Sequence, residues 1–304
     1  MAKIFKTTIK SSLLSPPVFF AAMIAFCAGF YETLNIFANQ DSQNYEYVRL
    51  IENNTQFIVA FMIAMLPSFV TTKEFSNGTI RNKLISGTTK KGFFMAHLLV
   101  NSIITLIITL LYFLPMLIFF TGYFKMFKSY MVIFAIGLVF LGYLFITVIA
   151  TVISTMFDKI IISLIVSLLL LFGSIFCESL LRSDLQQEKY YEEPIYNKYG
   201  EIVEERIEPN PFYVESKAAR KAMWTARLIT PMIPIEYGTE IINGQLTSYE
   251  MYKQAREEAK NVSDQHPSIY EGNVLLFYSP IVTCGMITAV SVLGVFLFKR
   301  RNIK

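Results

Sequence analysis

Long apolar runs alternate with short polar ones along this chain. Six of the runs are long enough to reach the roughly 17–25 residues that a membrane-spanning helix needs. They are Pro17–Phe37, Gln56–Thr72, Phe93–Phe120, Tyr130–Phe157, Lys159–Leu181 and Val274–Phe298. The second run is the shortest, and the third carries Pro115. This pattern predicts an all-α polytopic membrane protein with six transmembrane helices. The apolar pattern stops between the fifth and sixth runs. Residues 182–273 are predicted to form a small α+β domain there. The chain then divides into 1–181 (an N-terminal helix and five spans), 182–273, and 274–304 (the sixth span and a basic tail).

Shorter patterns fill the remainder. Phe5, Ile9 and Leu13 share one side of a helical wheel and Lys3, Lys6 and Lys10 another, which predicts a helix lying in the membrane interface. Ile195–Val203 places a Gly-containing turn between strand-forming residues and reads as a β-hairpin. Asn210-Pro211 has the form of a helix start. The helix expected after it carries Phe212, Ala219, Met223, Trp224 and Leu228, and ends at Pro231 and Pro234. Thr247-Ser-Tyr-Glu250 is a capping box opening another helix, to about Val262.

Composition agrees with the pattern: 54% of residues are hydrophobic and only 16% charged, where about 25% charge is usual for a soluble domain. Charge also orients the chain. Lys3, Lys6 and Lys10, the loop basic residues Lys73, Arg81, Lys83, Lys90 and Lys91, Lys159, and the tail Lys299, Arg300, Arg301 and Lys304 all fall on one side of a six-span arrangement. Only Glu74 and Asp158 oppose them. The positive-inside rule makes that side cytoplasmic, both termini with it, in a multi-pass protein of the cell membrane. Lys125 and Lys128 fall in a short outer loop against this rule. Residues 182–273 are then extracellular; they hold 11 basic and 16 acidic residues.

Several chemistries are excluded or left without support. Cys27, Cys177 and Cys284 lie in or at the ends of apolar runs, so neither a disulfide framework nor a Cys-based metal site is expected. His97 and His266 have no ligand-spaced neighbour. Gly87-Thr-Thr-Lys-Lys-Gly92 begins like a phosphate-binding loop, but Phe93 stands where Lys is required. The acids inside spans are Glu32 and Glu178, each near the outer end of its helix, where it reaches an interface or serves as an outer gate. No metal, no nucleic-acid partner and no enzymatic activity of the chain itself is expected. Paired acids and repeated halves are also missing, which disfavours an ion-coupled carrier.

The basic interruption Lys73–Lys91 carries five Lys or Arg and one Glu. Placing six charges at a helix centre costs on the order of 15–20 kcal/mol, so the segment lies at the water boundary. Ile80, Leu84 and Ile85 can share one face of a short helix from about Ser76 to Ser86, with Gly87 as its stop. Such a helix anchors on anionic lipid or docks a cytoplasmic partner.

These residues carry a family resemblance. Phe69-Val-Thr-Thr-Lys-Glu74 followed by Gly78-Thr-Ile-Arg-Asn-Lys-Leu84 resembles the Glu-x-x-x-Gly-Thr segment after the second span of type-2 permeases of ATP-binding cassette (ABC) exporters, whose fold is shared with the G subfamily. Ser86–Phe93 resembles that family's run into the third span, and Gly294–Lys304 its last helix and basic tail. The resemblance implies that Glu74, Phe75, Gly78, Thr79, Ile80, Arg81, Lys83 and Leu84 belong to a coupling helix seated on an ABC ATPase subunit. ATP and Mg would bind that partner chain, with no cofactor on this one. It also implies a dimer with a second permease copy or homologue, embedded in membrane lipid. The transport path would run along the second and fifth helices, past Phe57, Phe61, Met65, Leu164, Ser167 and Leu168, each of which can equally be a packing or lipid-facing position.

The expected function is that of a permease subunit in a bacterial ABC exporter, moving a hydrophobic or amphipathic cargo, a peptide or antimicrobial peptide first. Lipid or drug export is the next reading. A membrane sensor with an extracellular ligand-binding domain is the rival from another class. A lipid-modifying membrane enzyme would need a polar constellation that the sequence does not show. The long segment 182–273 departs from small members of the family, which have only short re-entrant helices at that point; Ile235–Asn243 can still form part of one.

Overall fold

A computed structural model describes residues 2–38, 45–119, 129–185, 187, 190–196, 202–242 and 278–301. It is nearly all helical. Among the described residues, six helices are long and apolar enough to cross a membrane: Pro16–Leu34, Thr55–Ser76, Lys90–Phe119, Val132–Met156, Ile160–Leu185 and Ser279–Arg300. The hydropathy pattern located all six because each apolar window closes at a charge or a turn.

In chain order the elements are α1 (Ala2–Leu13), α2 (Pro16–Ala38), α3 (Tyr45–Pro67), a π-helical turn (Ser68–Thr72), α4 (Lys73–Ser76), α5 (Thr79–Ile85), α6 (Lys90–Phe119), α7 (Ser129–Met156) and α8 (Ile160–Leu185). Then come β1 (Tyr190–Tyr196), β2 (Ile202–Pro209), α9 (Lys217–Leu228), α10 (Met232–Ile242) and α11 (Ser279–Arg300). The third span and α7 are flanked on several sides, whereas α8 and α11 bury only 17% of their apolar windows and sit at the periphery.

Close helix approach is built from small residues, as expected where lipid tails remove any hydrophobic drive to associate. Ala21, Ala25 and Ala28 of α2 are buried, and Gly29 continues their row. A Cβ on Gly29 would overlap the backbone carbonyl of Tyr112 in α6. Gly29→Leu is therefore expected to cost about 1–3 kcal/mol by overpacking, read as a lower Tm of the detergent-solubilised chain. Gly137→Ala, where an added Cβ meets nothing within 4 Å, should leave the Tm unchanged.

Between the fifth and sixth spans, β1 and β2 pair antiparallel, Tyr190 opposite Pro209 and Tyr196 opposite Ile202. The paired strands fall where the hairpin was expected, with longer arms than the sequence marked, and its Gly-containing turn lies outside the described residues. The helix start placed at Asn210-Pro211 is not one. Asn210 Oδ1 instead accepts from the Phe212 N–H at 2.9 Å, closing a local turn. The helix begins at Lys217, where Ser216 Oγ accepts from the Ala219 N–H at 3.3 Å. Its buried face is Arg220, Trp224, Arg227 and Leu228; Phe212 is exposed.

The helix expected to end at Pro231 and Pro234 ends earlier, at Leu228; Pro231 immediately precedes α10 and Pro234 lies in its first turn. α10 packs along α7, and its Gly238 approaches so closely that a Cβ would lie 2.6 Å from the Ala135 carbonyl oxygen. Gly142 of α7 gives the reciprocal space, since its Cβ would lie 2.7 Å from the Pro231 carbonyl oxygen. The segment Ile235–Asn243 thus falls largely on a helix that folds back against the bundle. The helix expected from Thr247 to Val262 lies outside the described residues.

The N-terminal helix forms over Ala2–Leu13. Phe5, Ile9 and Leu13 pack against the main core, and Lys6 and Lys10 are exposed. A Ser15 cap and Pro16-Pro17 then start α2.

Candidate functional site

Pro67 has no N–H to donate, which disrupts the regular ladder at the end of α3. The chain answers with the five-residue π turn Ser68–Thr72. Its polar side chains are buried and fastened to three neighbours. Ser68 Oγ lies 2.9 Å from Ser163 Oγ of α8, and Thr72 Oγ1 donates to the Ser154 carbonyl of α7 at 3.0 Å. Thr71 Oγ1 accepts from Asn101 Nδ2 of α6 at 3.2 Å. The root of the basic segment is therefore fixed.

Beyond it the Glu-x-x-x-Gly-Thr pattern acquires a physical meaning. After the single turn of α4, Gly78 adopts φ +67°, a left-handed backbone that glycine takes without cost. The Thr79 hydroxyl donates to the Glu74 carbonyl at 3.0 Å, closing the exposed end of α4. The helix expected over Ser76–Ser86 is thus interrupted at Gly78 and restarts at Thr79. It stops where the sequence indicated: Gly87 takes φ +93°, with Gly87 N–H to Leu84 C=O at 3.1 Å and Thr88 N–H to Lys83 C=O at 3.1 Å, a Schellman closure.

The rear face of this two-piece element is locked. Lys83 Nζ donates to both Glu74 carboxylate oxygens at 2.6 Å. It also lies 3.5 Å from Thr8 Oγ1 of α1 and 5.8 Å from the centre of the Phe93 ring. His97, fully buried in α6, places Nε2 3.3 Å from Glu74 Oε2. That contact is a close approach rather than an aligned hydrogen bond. Phe75 and Ile80 enter an apolar cluster with Phe93, Phe94 and Phe298. The Phe75 ring stands edge-on to Phe93 at 5.8 Å and to Phe298 at 5.9 Å. Burying side chains of this size contributes about 1.5–3 kcal/mol each. Gly294 lets α11 come in: a Cβ there would lie 2.5 Å from the Phe94 ring.

Arg301 closes the cluster from the tail. Its guanidinium sits 4.4 Å over the Phe75 ring and donates to the Thr155 carbonyl and to Asp158. Partial burial lowers its pKa, and Asp158 opposes that shift. The front of the element is bare: Lys73, Gly78, Thr79, Arg81, Asn82 and Ile85 are exposed. Ile85 was expected on the inward face with Ile80 and Leu84. It points outward and is 75% exposed, because the restart at Thr79 sets the phase of α5.

A second arrangement runs from this site into the bundle. His97, Asn101, Thr105 and Thr109 recur every fourth residue along α6, and Tyr143, Thr147, Thr151 and Thr155 do so along α7; all are buried. The rows face each other: Asn101 Nδ2 to Thr151 Oγ1 is 2.9 Å, and Thr105 Oγ1 to Thr147 Oγ1 is 2.6 Å. Thr71 lies 3.3 Å from His97 Nδ1, and His97, at the head of the row, reaches Glu74. The four-residue spacing was visible in the sequence and not recognised. The approach of Glu74 and His97 was hidden by a loop.

The opposite end holds the remaining acids. Glu32 is buried, accepting from the Thr55 hydroxyl and, at 3.5 Å, from the Tyr112 hydroxyl. Glu178 accepts from Arg227 Nη2 at 2.5 Å and Nε at 2.9 Å. Arg227 also meets Glu236 at 3.2 Å, and Arg182 meets Glu236 at 2.6 Å. Neither Glu32 nor Glu178 lies open at a surface; the protein itself encloses both.

A cavity of about 290 Å³ lies beside the quartet, walled by Gln56 and Phe57 of α3, Ile175 and Glu178 of α8, and Ile235 and Glu236 of α10. Of the path residues, Phe57 lines this cavity, Phe61 stacks edge-on with Phe172 at 6.0 Å, and Met65, Leu164 and Leu168 are half-buried. Ser167 is buried. Among the described residues no group of three or more His, Cys, Asp or Glu could hold a metal. No protein-family model, curated protein or solved structure matches the chain.

Proposed function

We propose that this chain is the membrane-spanning permease subunit of an ATP-driven exporter of the ABC type, working with a separate ATPase subunit and a second permease copy or homologue. One observation carries the reading. The segment from Lys73 to Gly87 is a short helical element locked to α1, α6 and α11 behind, rooted in a π turn that is bonded to α7 and α8, and bare in front. An element so fixed passes a push on its outer face into several spans at once. A flexible anchor on lipid would need none of these ties.

In this reading the basic end is cytoplasmic and the region from β1 to α10 is extracellular. α10, folded against α7 and bonded through Thr239 to Gln56 at 2.5 Å, acts as the re-entrant element at the exit. The cavity between the second and fifth spans sets apolar walls, Phe57, Ile175 and Ile235, beside the charged Glu178, Arg182 and Glu236, which suits an amphipathic cargo, a peptide first. The chain then performs no ATP chemistry of its own.

The exposed Ile85 offers the test. Ile85→p-benzoylphenylalanine, irradiated in native membranes, should crosslink to a P-loop ATPase identifiable by mass spectrometry. The yield should fall when ATP and vanadate lock the transport cycle. Crosslinking to lipid alone would overturn the docking assignment.

A further inference from the structure

Three serines of α8 differ in what their hydroxyls do. Ser163 meets Ser68 at 2.9 Å, and Ser174 donates to the Leu171 carbonyl at 2.8 Å. Ser167 lies between them, 3% exposed, and its Oγ has no hydrogen-bond partner among the described residues. A buried hydroxyl left unpaired is destabilising, and most such groups in native proteins are bonded. The missing partner has room to arrive. Ser167 forms part of the wall of a groove of about 440 Å³ between α3, α7 and α8. Ala64, Ile146, Ala150, Gly173 and Cys177 line the same groove. At Gly173 an added Cβ would meet nothing within 4 Å, so the groove is open there. The volume falls in the roughly 300–1,000 Å³ range of small-molecule sites.

We propose that this groove holds one neutral lipid-like molecule, its hydroxyl or ester carbonyl bonded to Ser167 and its hydrocarbon chain lying along Ala64, Ile146 and Gly173. Depth and wall chemistry select that class. Ser167 is seven residues inside α8, about 10 Å along the axis at 1.5 Å per residue. A charged headgroup is costly at that depth, whereas a single uncharged polar group matches the single unpaired hydroxyl. The remaining wall is almost wholly apolar and takes a chain. The proposal rests on the six helices crossing a membrane and not on the exporter reading, since occupancy needs neither ATP nor a partner.

Cys177 supplies the reporter. It is exposed, lines the groove, and becomes the sole thiol once Cys27→Ser and Cys284→Ser are introduced. The full chain in phosphatidylcholine nanodiscs is titrated with dioleoylglycerol, and the rate of maleimide labelling at Cys177 is followed. Saturable slowing is expected. Ser167→Ala should raise the half-effective amount about fivefold, as loss of one ordinary hydrogen bond would. Gly173→Phe should fill the groove and remove the response, while Gly173→Ala, which adds a methyl in open space, should keep both fold and response. Non-saturable slowing, equal protection in Ser167→Ala, or no protection at all would overturn the site.

Discussion

Under the proposed exporter function, Glu74→Ala should lower transport at least about tenfold, a loss of some 1.4 kcal/mol of coupling, with the amount of chain in the membrane unchanged. The carboxylate ties α5 back to α4 through two 2.6 Å bonds from Lys83, while also facing His97. Hydrogen bonds to a charged group contribute about 1.5–3 kcal/mol. Without them α5 is held by Ile80 and Leu84 on its inward face and by the Thr79 bond to the residue-74 carbonyl at its start. It can then tilt under a load that should move the spans. Glu74→Gln keeps one acceptor for Lys83 and should fall between. Amide hydrogen exchange over Thr79–Ile85 gives a readout independent of transport and should quicken in the same order. Full transport by Glu74→Ala with its ATPase present would remove α4 and α5 from the coupling route.

Arg227→Ala should destabilise the opposite end by about 3–5 kcal/mol, the usual range when one partner of a buried ion pair is removed. Arg227 stands between Glu178 and Glu236, with a side chain only 5% exposed, and sits 4.8 Å over the Trp224 ring. Removing it leaves two carboxylates facing each other with Arg182 alone to compensate. A lower Tm and faster tryptic cleavage after Lys217 and Lys221 would report the loss. Glu178→Leu combined with Arg227→Leu removes both charges and should recover much of the stability. If Arg227→Ala melts like the unsubstituted chain, the quartet does not hold α8, α9 and α10 together.

What the sequence disclosed follows from distance along the chain. The six spans were legible because a hydropathy window needs only neighbours. Gly87 as the end of α5 was legible for the same reason, and so was the hairpin. Asn210-Pro211 misled because Asn forms a local turn as readily as a helix cap, and Ser216, a few residues on, made the cap. Gly78 broke the expected helix because a positive φ cannot be seen without coordinates. The pairs Glu178–Arg227 and Glu74–His97 join residues that are far apart in sequence, so no spacing rule exposes them. The π turn after Pro67 follows from a missing N–H, but its register depends on the partners of Ser68, Thr71 and Thr72 across three helices.

The two threonine rows bear on how this chain enters a bilayer. Thr105, Thr109, Thr147 and Thr151 each donate to a carbonyl four residues earlier in their own helix. Those hydroxyls are therefore quiet in lipid even when a helix is alone. Asn101 differs: its amide donates outward, to Thr71 and Thr151, and no turn of α6 can substitute. During synthesis α6 leaves the ribosome after Thr71 and before α7, so the Asn101 amide meets its first partner on an earlier span and its second only when Thr151 arrives.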